Sequence, residues 1–359
     1  MRTLAFHLPQ FHPIPENDEW WGKGFTEWTN VVKARPAVPG HHQPRLPADL
    51  GFYDLRLPEA RAAQADMARE YGVNGFVYYH YWFNGRRVLN RPVDDIMKLG
   101  QPDFPFCLCW ANESWTRAWD GRSGVPLLEQ RYSAEDDEAH IRHLLPILAD
   151  RRYVRINGRP LLLLYRTEQI PEPRRLAERW RDAAIKAGVG DLYLTRVESF
   201  SNDVDPTTLG FDAAVEFAPD WRMVQTLKFG WRKRLMAKLG LFPSGWLDHR
   251  FVRYEALVES MMAKPDPGWR RFRCVTPGFD NSARRTKAAA IFLGSTPQGY
   301  GNWLQSTLQA EARNGRPEDE QVVFVNAWNE WAEGNHLEPC QRWGRAYLEA
   351  HKAARAAAG

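Results

Sequence analysis

Short apolar runs recur along the chain, most of them ending abruptly in aromatic, amide or charged residues, with amphipathic stretches between them. Residues 4–6, 75–82, 104–109, 161–164, 192–195, 213–217, 272–276 and 322–327 have the aliphatic and aromatic content of strands buried on both faces. The stretches between them read as helices. In 58–71, Pro58 suits the first turn, Ala60, Ala63, Met67 and Tyr71 share one stripe, and Gly72 closes the helix. Ser133 caps a helix over 133–148, with Asp136 in the third position of a capping box, and Gly188 closes another over 171–187. A shorter helix is expected over 92–99. Eight strands alternating with helices predict an α/β fold, a (β/α)8 TIM barrel that forms a single domain over 1–359. Two stretches interrupt the alternation. One is a long connection over 13–57, between the first strand and the first helix, and the other is an insertion over 219–268 after strand six. An open doubly wound sheet would instead want a glycine-rich phosphate turn after strand one, where the chain has Leu8-Pro9-Gln10-Phe11-His12.

Hydrophobic residues make up 44% of the 359, a globular content, and the formal net charge of +4 implies no nucleic-acid partner. The charge is uneven, however. Between Arg222 and Arg253 there are eight Lys or Arg and one acid, Asp248, interleaved with Leu227, Phe229, Trp231, Leu235, Leu239, Leu241, Phe242 and Trp246. A solvated insertion accounts for this stretch in the simplest way. The sharper reading is a flap over 222–253 that meets an anionic lipid or a phosphorylated glycan. Met1 leads directly into the first strand without an apolar leader, and no run reaches the roughly eighteen apolar residues of a membrane span. The expected location is therefore cytoplasmic, peripheral to the inner membrane if the insertion meets lipid. Cys107, Cys109, Cys274 and Cys340 have neither disulfide nor metal spacing and read as reduced thiols.

The chemistry concentrates at the strand ends, where barrel enzymes keep their active sites. Val322 to Val325 runs into Asn326, Trp328, Asn329, Glu330, Trp331 and Glu333 with no turn residue before Gly334. If the segment turns helically, Glu330 and Glu333 share one face with Cβ atoms roughly 5–6 Å apart. Two such carboxyls suit acid–base work on a glycosidic bond, since a like charge and an indole wall raise one pKa. A helix start capped by Asn329 is the plain alternative, but it needs neither the two tryptophans nor a second acid. Other strand ends and the first loop supply candidate ligands: His7, Gln10, His12, Trp20, Glu27 and Trp28, then His80, Tyr81, Trp110, Asn112, Glu113 and Asp280. Glu113 could instead pair with Arg117 or Arg122, Asp280 and Asn281 could hold their loop, and Glu198 and Glu216 could bind substrate or pair with arginines across the barrel top. Sixteen tryptophans, many beside polar groups, offer flat apolar faces for sugar rings. His7, His12, His80 and Glu113 lack the paired spacing of a zinc site, so no metal or other cofactor is expected. No phosphate-binding loop, dinucleotide fingerprint or nucleophile elbow is present. The expectation is that His7, His80, Trp110, Glu113 and Glu330 meet in one cleft.

Five motifs carry a family resemblance: Leu8-Pro9-Gln10-Phe11-His12, the run from Trp20 to Trp28, Tyr79-His80-Tyr81-Trp82, Cys109-Trp110-Ala111-Asn112-Glu113, and Trp328-Asn329-Glu330-Trp331-Ala332-Glu333-Gly334. Over about residues 3 to 347 the chain resembles the WbsX-like proteins, which are related to glycoside hydrolase family 99. The resemblance implies a (β/α)8 barrel acting on a bacterial surface polysaccharide, O-antigen or capsule, as an oligo- or polysaccharide that can be lipid-linked. It implies retention of configuration without an enzyme nucleophile. Glu330 would deprotonate the sugar 2-hydroxyl, so that O2 attacks its own anomeric carbon, and Glu333 would protonate the leaving oxygen. The chain departs from family 99 at Ala332, where those enzymes commonly have His, and from many WbsX-like relatives at Cys340, where they have Asp. The WbsX-like label implies an alternative, a glycosyltransferase of lipopolysaccharide O-antigen biosynthesis. A glycan-binding protein without catalysis is a third class, which the retained glutamates disfavour.

Overall fold

The computed structural model describes residues 1–117, 122–200, 203–227 and 229–358. Trp119 and Lys228, with the side chains of Arg117 and Arg122, lie outside the described residues. Among the described residues, eight parallel strands make the barrel path of the central sheet: β1 Arg2–His7, β2 Gly75–Phe83, β3 Phe106–Trp110, β4 Arg159–Leu164, β5 Tyr193–Glu198, β6 Ala213–Glu216, β7 and β8 Val322–Val325. β7 is split into Arg271–Phe272, which pairs with β6, and Cys274–Val275, which pairs with β8. Only Arg273 separates the two pieces, and β8 pairs in turn with β1, so nine parallel segments make a nearly closed barrel. Helices over Pro58–Glu70, Arg91–Leu99, Ala134–Leu148, Pro173–Lys186 and Pro297–Arg313 connect strand to strand, and Ala346–Ala358 follows β8.

β3 starts at Phe106, two residues later than the sequence pattern suggests. Pro105 has no N–H to give a ladder, and its carbonyl instead accepts from the Phe76 N–H at 3.0 Å. Strand parity decides what reaches the interior. Phe6 meets the rings of Tyr79, Phe217 and Phe324 inside the barrel. The next residue along β1, His7, stands opposite Tyr78 in register and faces the helix layer, where Gln64 lies 3.2 Å from its Nε2. A buried ion cluster lies at β5, β6 and β7. Glu198 pairs with Arg271 at 2.8 Å and Lys264 at 3.6 Å, and Glu216 with Lys264 and Arg273 at 3.4 Å each. Both glutamates thus take the arginine-pairing role.

The long connection after β1 contains two short helices, Pro15–Trp21 and Glu27–Lys33. The insertion after β6 holds the helices Trp221–Thr226, Trp231–Lys238 and Gly245–Asp248, then a strand, Arg250–Arg253, paired in parallel with Ala290–Leu293. Val38, Ala237, Trp246, Phe251, Ala289 and Ile291 form a small core of their own there. Gly245 lets this core close on the β1 connection, since a Cβ at that position would sit 2.0 Å from the Ala37 carbonyl oxygen. The four cysteines are free and buried. No helix among the described residues is long and apolar enough to cross a membrane.

Candidate active site

A cavity of about 980 Å³ opens at the carboxyl ends of the strands. Its walls come from the residues at or just past those ends: Leu8 and Gln10 beyond β1, Tyr79 and Tyr81 in β2, Glu113 beyond β3, Tyr165 beyond β4, Phe217 beyond β6, and Asn326, Glu330 and Glu333 beyond β8. Trp20, Trp21 and Trp115 add aromatic faces from the loops, and the insertion contributes Trp221, Val224, Gln225 and Arg250.

The segment after β8 does not start an α-helix. Asn329–Glu330 pairs antiparallel with Asn335–His336, and Trp331–Glu333 makes one tight turn closed by Gly334 at φ 56°. In so tight a turn, residues three apart eclipse, which turns Glu330 and Glu333 to the same side. Asn329 does not cap. Its side-chain oxygen accepts from the Leu8 N–H at 2.7 Å, and its amide donates to the Leu8 carbonyl at 3.0 Å and the Tyr53 hydroxyl at 3.1 Å. Asn329 therefore fastens the end of β8 to the end of β1.

Arg284 organises the floor of the cavity. Its Nε donates to Glu27 at 2.7 Å, Nη1 to Glu333 at 2.6 Å and Nη2 to Glu330 at 3.1 Å. One guanidinium thus holds three carboxylates. Their charges and the burial compete at Glu330. Burial is the larger effect, opposed by Arg284 and reinforced by Glu333 and Glu27, and it pushes the Glu330 carboxyl up to about 8. Three acids on one cation would leave a surplus of buried negative charge, and one retained proton relieves it. The loop carrying Arg284 is pinned by Asp280, which accepts from Ser282 N–H at 3.1 Å, from Gln43 at 2.8 Å, and contacts His41 at 2.6 Å. The Asp280 backbone N–H also donates to the Glu333 carbonyl at 2.5 Å. Burial alone would raise the Asp280 carboxyl, but the His41 hydrogen bond and the Arg45 charge hold it below its ordinary value.

Of the residues singled out from sequence, Gln10, Trp20, Tyr81, Glu113, Asn326, Glu330 and Glu333 line the cavity. Glu113 is ion-paired with Arg166. Burial raises its pKa against that pairing. The others stand behind the wall. His7, His80 and Trp110 do not share a cleft with Glu330, because strand parity turns them outward. His80 and Trp110 are paired in register, and both meet His140 of the helix Ala134–Leu148, His80 through Nε2 at 2.9 Å and Trp110 ring to ring at 4.7 Å. Asn112 is spent on Tyr132 and on the Arg166 backbone, and Glu27 on Arg284. Trp28 donates to the Tyr53 carbonyl at 2.9 Å and Trp331 to Glu338 at 2.6 Å, while Trp328 packs on Phe76. His12 is buried, which lowers its pKa to about 4. Asp280 holds its loop, as one of its two readings has it. Among the described residues, no group of three or more His, Cys, Asp or Glu is arranged to hold a metal.

Two residues escaped the sequence reading. Arg284 sits four residues beyond Asp280, and the signal for it was the run of acids at the site, which requires a buried cation. Glu338 accepts from Tyr53 at 2.9 Å, Gln64 at 2.7 Å and Trp331 at 2.6 Å, and burial pushes it up to about 7. Trp110→Ala should cost about 3–5 kcal/mol of stability through the cavity it leaves. Thermal unfolding should shift accordingly, while turnover per folded molecule stays within a few-fold; a selective loss of turnover would place Trp110 in the site after all.

Solved structures share this fold. A GH99 endo-alpha-mannosidase from Bacteroides thetaiotaomicron aligns with a TM-score of 0.54 at 15% identity, covering 99% of this chain and 96% of that one. A glycoside hydrolase-like protein aligns with a TM-score of 0.58 at 13% identity, covering 98% and 93%. In sequence, the chain is 45% identical over 351 residues to WxcX of Xanthomonas campestris pv. campestris, an uncharacterized protein, covering 98% of this chain. It spans 49% of WxcX, about half the length of that relative. The family model described as glycosyltransferase WbsX matches residues 3–351, and the chain belongs to that family.

Proposed function

We propose that this chain is a carbohydrate-active enzyme that cleaves glycosidic bonds of a bacterial surface polysaccharide, with Glu330 and Glu333 as its acid–base pair. The observation that carries this reading is the sharing of one buried guanidinium by two cavity-facing carboxyls, where burial raises the proton affinity of Glu330. An acid–base pair works through carboxyls of unequal proton affinity, and burial raises that of Glu330. Trp20, Trp21, Tyr81 and Trp115 supply flat faces on which sugar rings can stack.

In the roles implied by family 99, Glu330 takes the proton of the 2-hydroxyl while O2 bonds to its own anomeric carbon. Glu333 gives its proton to the departing oxygen. Water, activated by Glu333, then opens the strained anhydro-sugar, and Glu330 returns its proton to O2. A carboxylate with a pKa near 8 is a stronger base than an ordinary glutamate, although it is mostly protonated below that pH. With Glu330 as base, kcat/KM should rise as pH rises through about 8, as Glu330 ionises. Burial of Glu330 favours the opposite assignment, Glu330 as acid, and that would make kcat/KM fall through the same range. A pH–rate profile on a soluble oligosaccharide separates the two assignments.

The family's description as a glycosyltransferase supports a second reading, which we take as transfer of a sugar from a nucleotide sugar to a lipid-linked acceptor. The same carboxylates could serve it, with an acceptor hydroxyl in place of water. Assays with and without nucleotide sugar decide between them: release of reducing ends in its absence supports cleavage, and product formation only in its presence supports transfer.

A further inference from the structure

Among the described residues, twelve large hydrophobic side chains are exposed, and five of them fall between residues 231 and 242. Trp231, Leu235 and Leu239 are spaced i, i+4 and i+8 along and just beyond the helix Trp231–Lys238, which aligns them on one stripe. Leu241 and Phe242 extend it into the following turn. The stripe is not covered by the small core beneath, which receives Ala237 from the opposite side of the helix. The flanks are uniformly cationic. Arg234 and Lys238 fall on one side of the stripe and Arg232 on the other, and no acid occurs between Arg222 and Leu247. Arg234 also donates to the His249 carbonyl at 3.2 Å, and Lys233 lies 4.5 Å over the Trp246 ring, so these two stems help seat the helix.

We propose that residues 231–242 form a docking surface for an anionic lipid bilayer. An apolar stripe that carries a tryptophan and is edged by Lys and Arg has the chemistry of an interfacial helix: the apolar side chains enter the headgroup boundary and the cations meet lipid phosphates. Charge complementarity selects this occupant. A second copy seated on the same patch would set cation against cation, with no acid in the segment to relieve it. The inference stands apart from the glycan reading, because it concerns where the protein sits and not what its carboxylates do. The two features are joined by the fold, since the same insertion places Trp221, Val224, Gln225 and Arg250 on the cavity wall.

The test is sedimentation with vesicles of phosphatidylcholine, with and without phosphatidylglycerol. The protein should pellet with the anionic vesicles and be released by added salt. Arg232→Ala and Lys238→Ala, whose side chains make no cavity contact, should each weaken that binding about fivefold. Trp231→Ser with Leu235→Ser should abolish it, with thermal unfolding unchanged. Failure to bind anionic vesicles would overturn the proposal, as would equal pelleting of all variants. A concentration-dependent mass in sedimentation velocity that Trp231→Ser removes would overturn it in favour of self-association. Vesicle binding by a protein that turns over no glycan would leave this surface standing and remove only the proposed function.

Discussion

Glu330→Gln and Glu333→Gln should each lower turnover of an unactivated glycan by about 10²–10⁴, because the amide keeps shape and reach while proton transfer is lost. The two variants should part company on a substrate with an activated leaving group. Departure then needs no proton, so Glu333→Gln should recover a large part of its loss. Glu330→Gln should stay impaired, since the 2-hydroxyl still has to be deprotonated, and a 2-deoxy substrate should be inert with the unmodified protein for the same reason. Both side chains lie on Arg284, so a structural role would instead show as lowered stability with normal turnover per folded molecule. Recovery by Glu330→Gln in place of Glu333→Gln would exchange the two roles.

Arg284→Met should have the largest effect on the fold itself. The variant leaves Glu27, Glu330 and Glu333 without their shared cation, and removing one partner of a buried ion pair costs about 3–5 kcal/mol. The loss should depend on pH with a definite sign. The Glu330 carboxyl is raised from 4.5 to about 8 in the fold, so the folded state holds a proton that the unfolded chain releases. Its contribution is therefore full below about pH 4.5 and is lost as pH rises towards 8. Without Arg284, which lowers the Glu330 pKa, this loss should extend to higher pH. Urea unfolding at pH 5 and pH 8 checks it: the variant should lose more stability between the two than the unmodified protein. Equal stability of both proteins at pH 8 would mean that Arg284 does not hold the cluster together.

The barrel was legible from the spacing of apolar runs, because a parallel strand buried on both faces must be short and apolar throughout. That same uniformity hid which residues face the cavity. In Tyr79-His80-Tyr81-Trp82 the alternation sends the tyrosines inward and the histidine and tryptophan to the helix layer, where Trp82 lies 4.6 Å from the His140 ring and donates to Asp136. Polarity alone pointed to His80; parity, counted from Phe6 or Cys109, would have pointed to Tyr79. Glu330 and Glu333 were legible because two acids and two indoles at a strand end have few structural uses. The acids called for a buried cation but not for Arg284 in particular, since Glu27 and the Glu330–Glu333 turn are two segments far from it in sequence. The split of β7 at Arg273 also had no local signal, because it arises from pairing with two different neighbours.

Incubation of a panel of O-antigen and capsule oligosaccharides in ¹⁸O-labelled water, without nucleotide sugar, tests the central claim most directly. New reducing ends carrying one ¹⁸O with retained anomeric configuration are expected, absent with Glu330→Gln and Glu333→Gln. Product that forms only when a nucleotide sugar is added, or equal release by both glutamine variants, would contradict it.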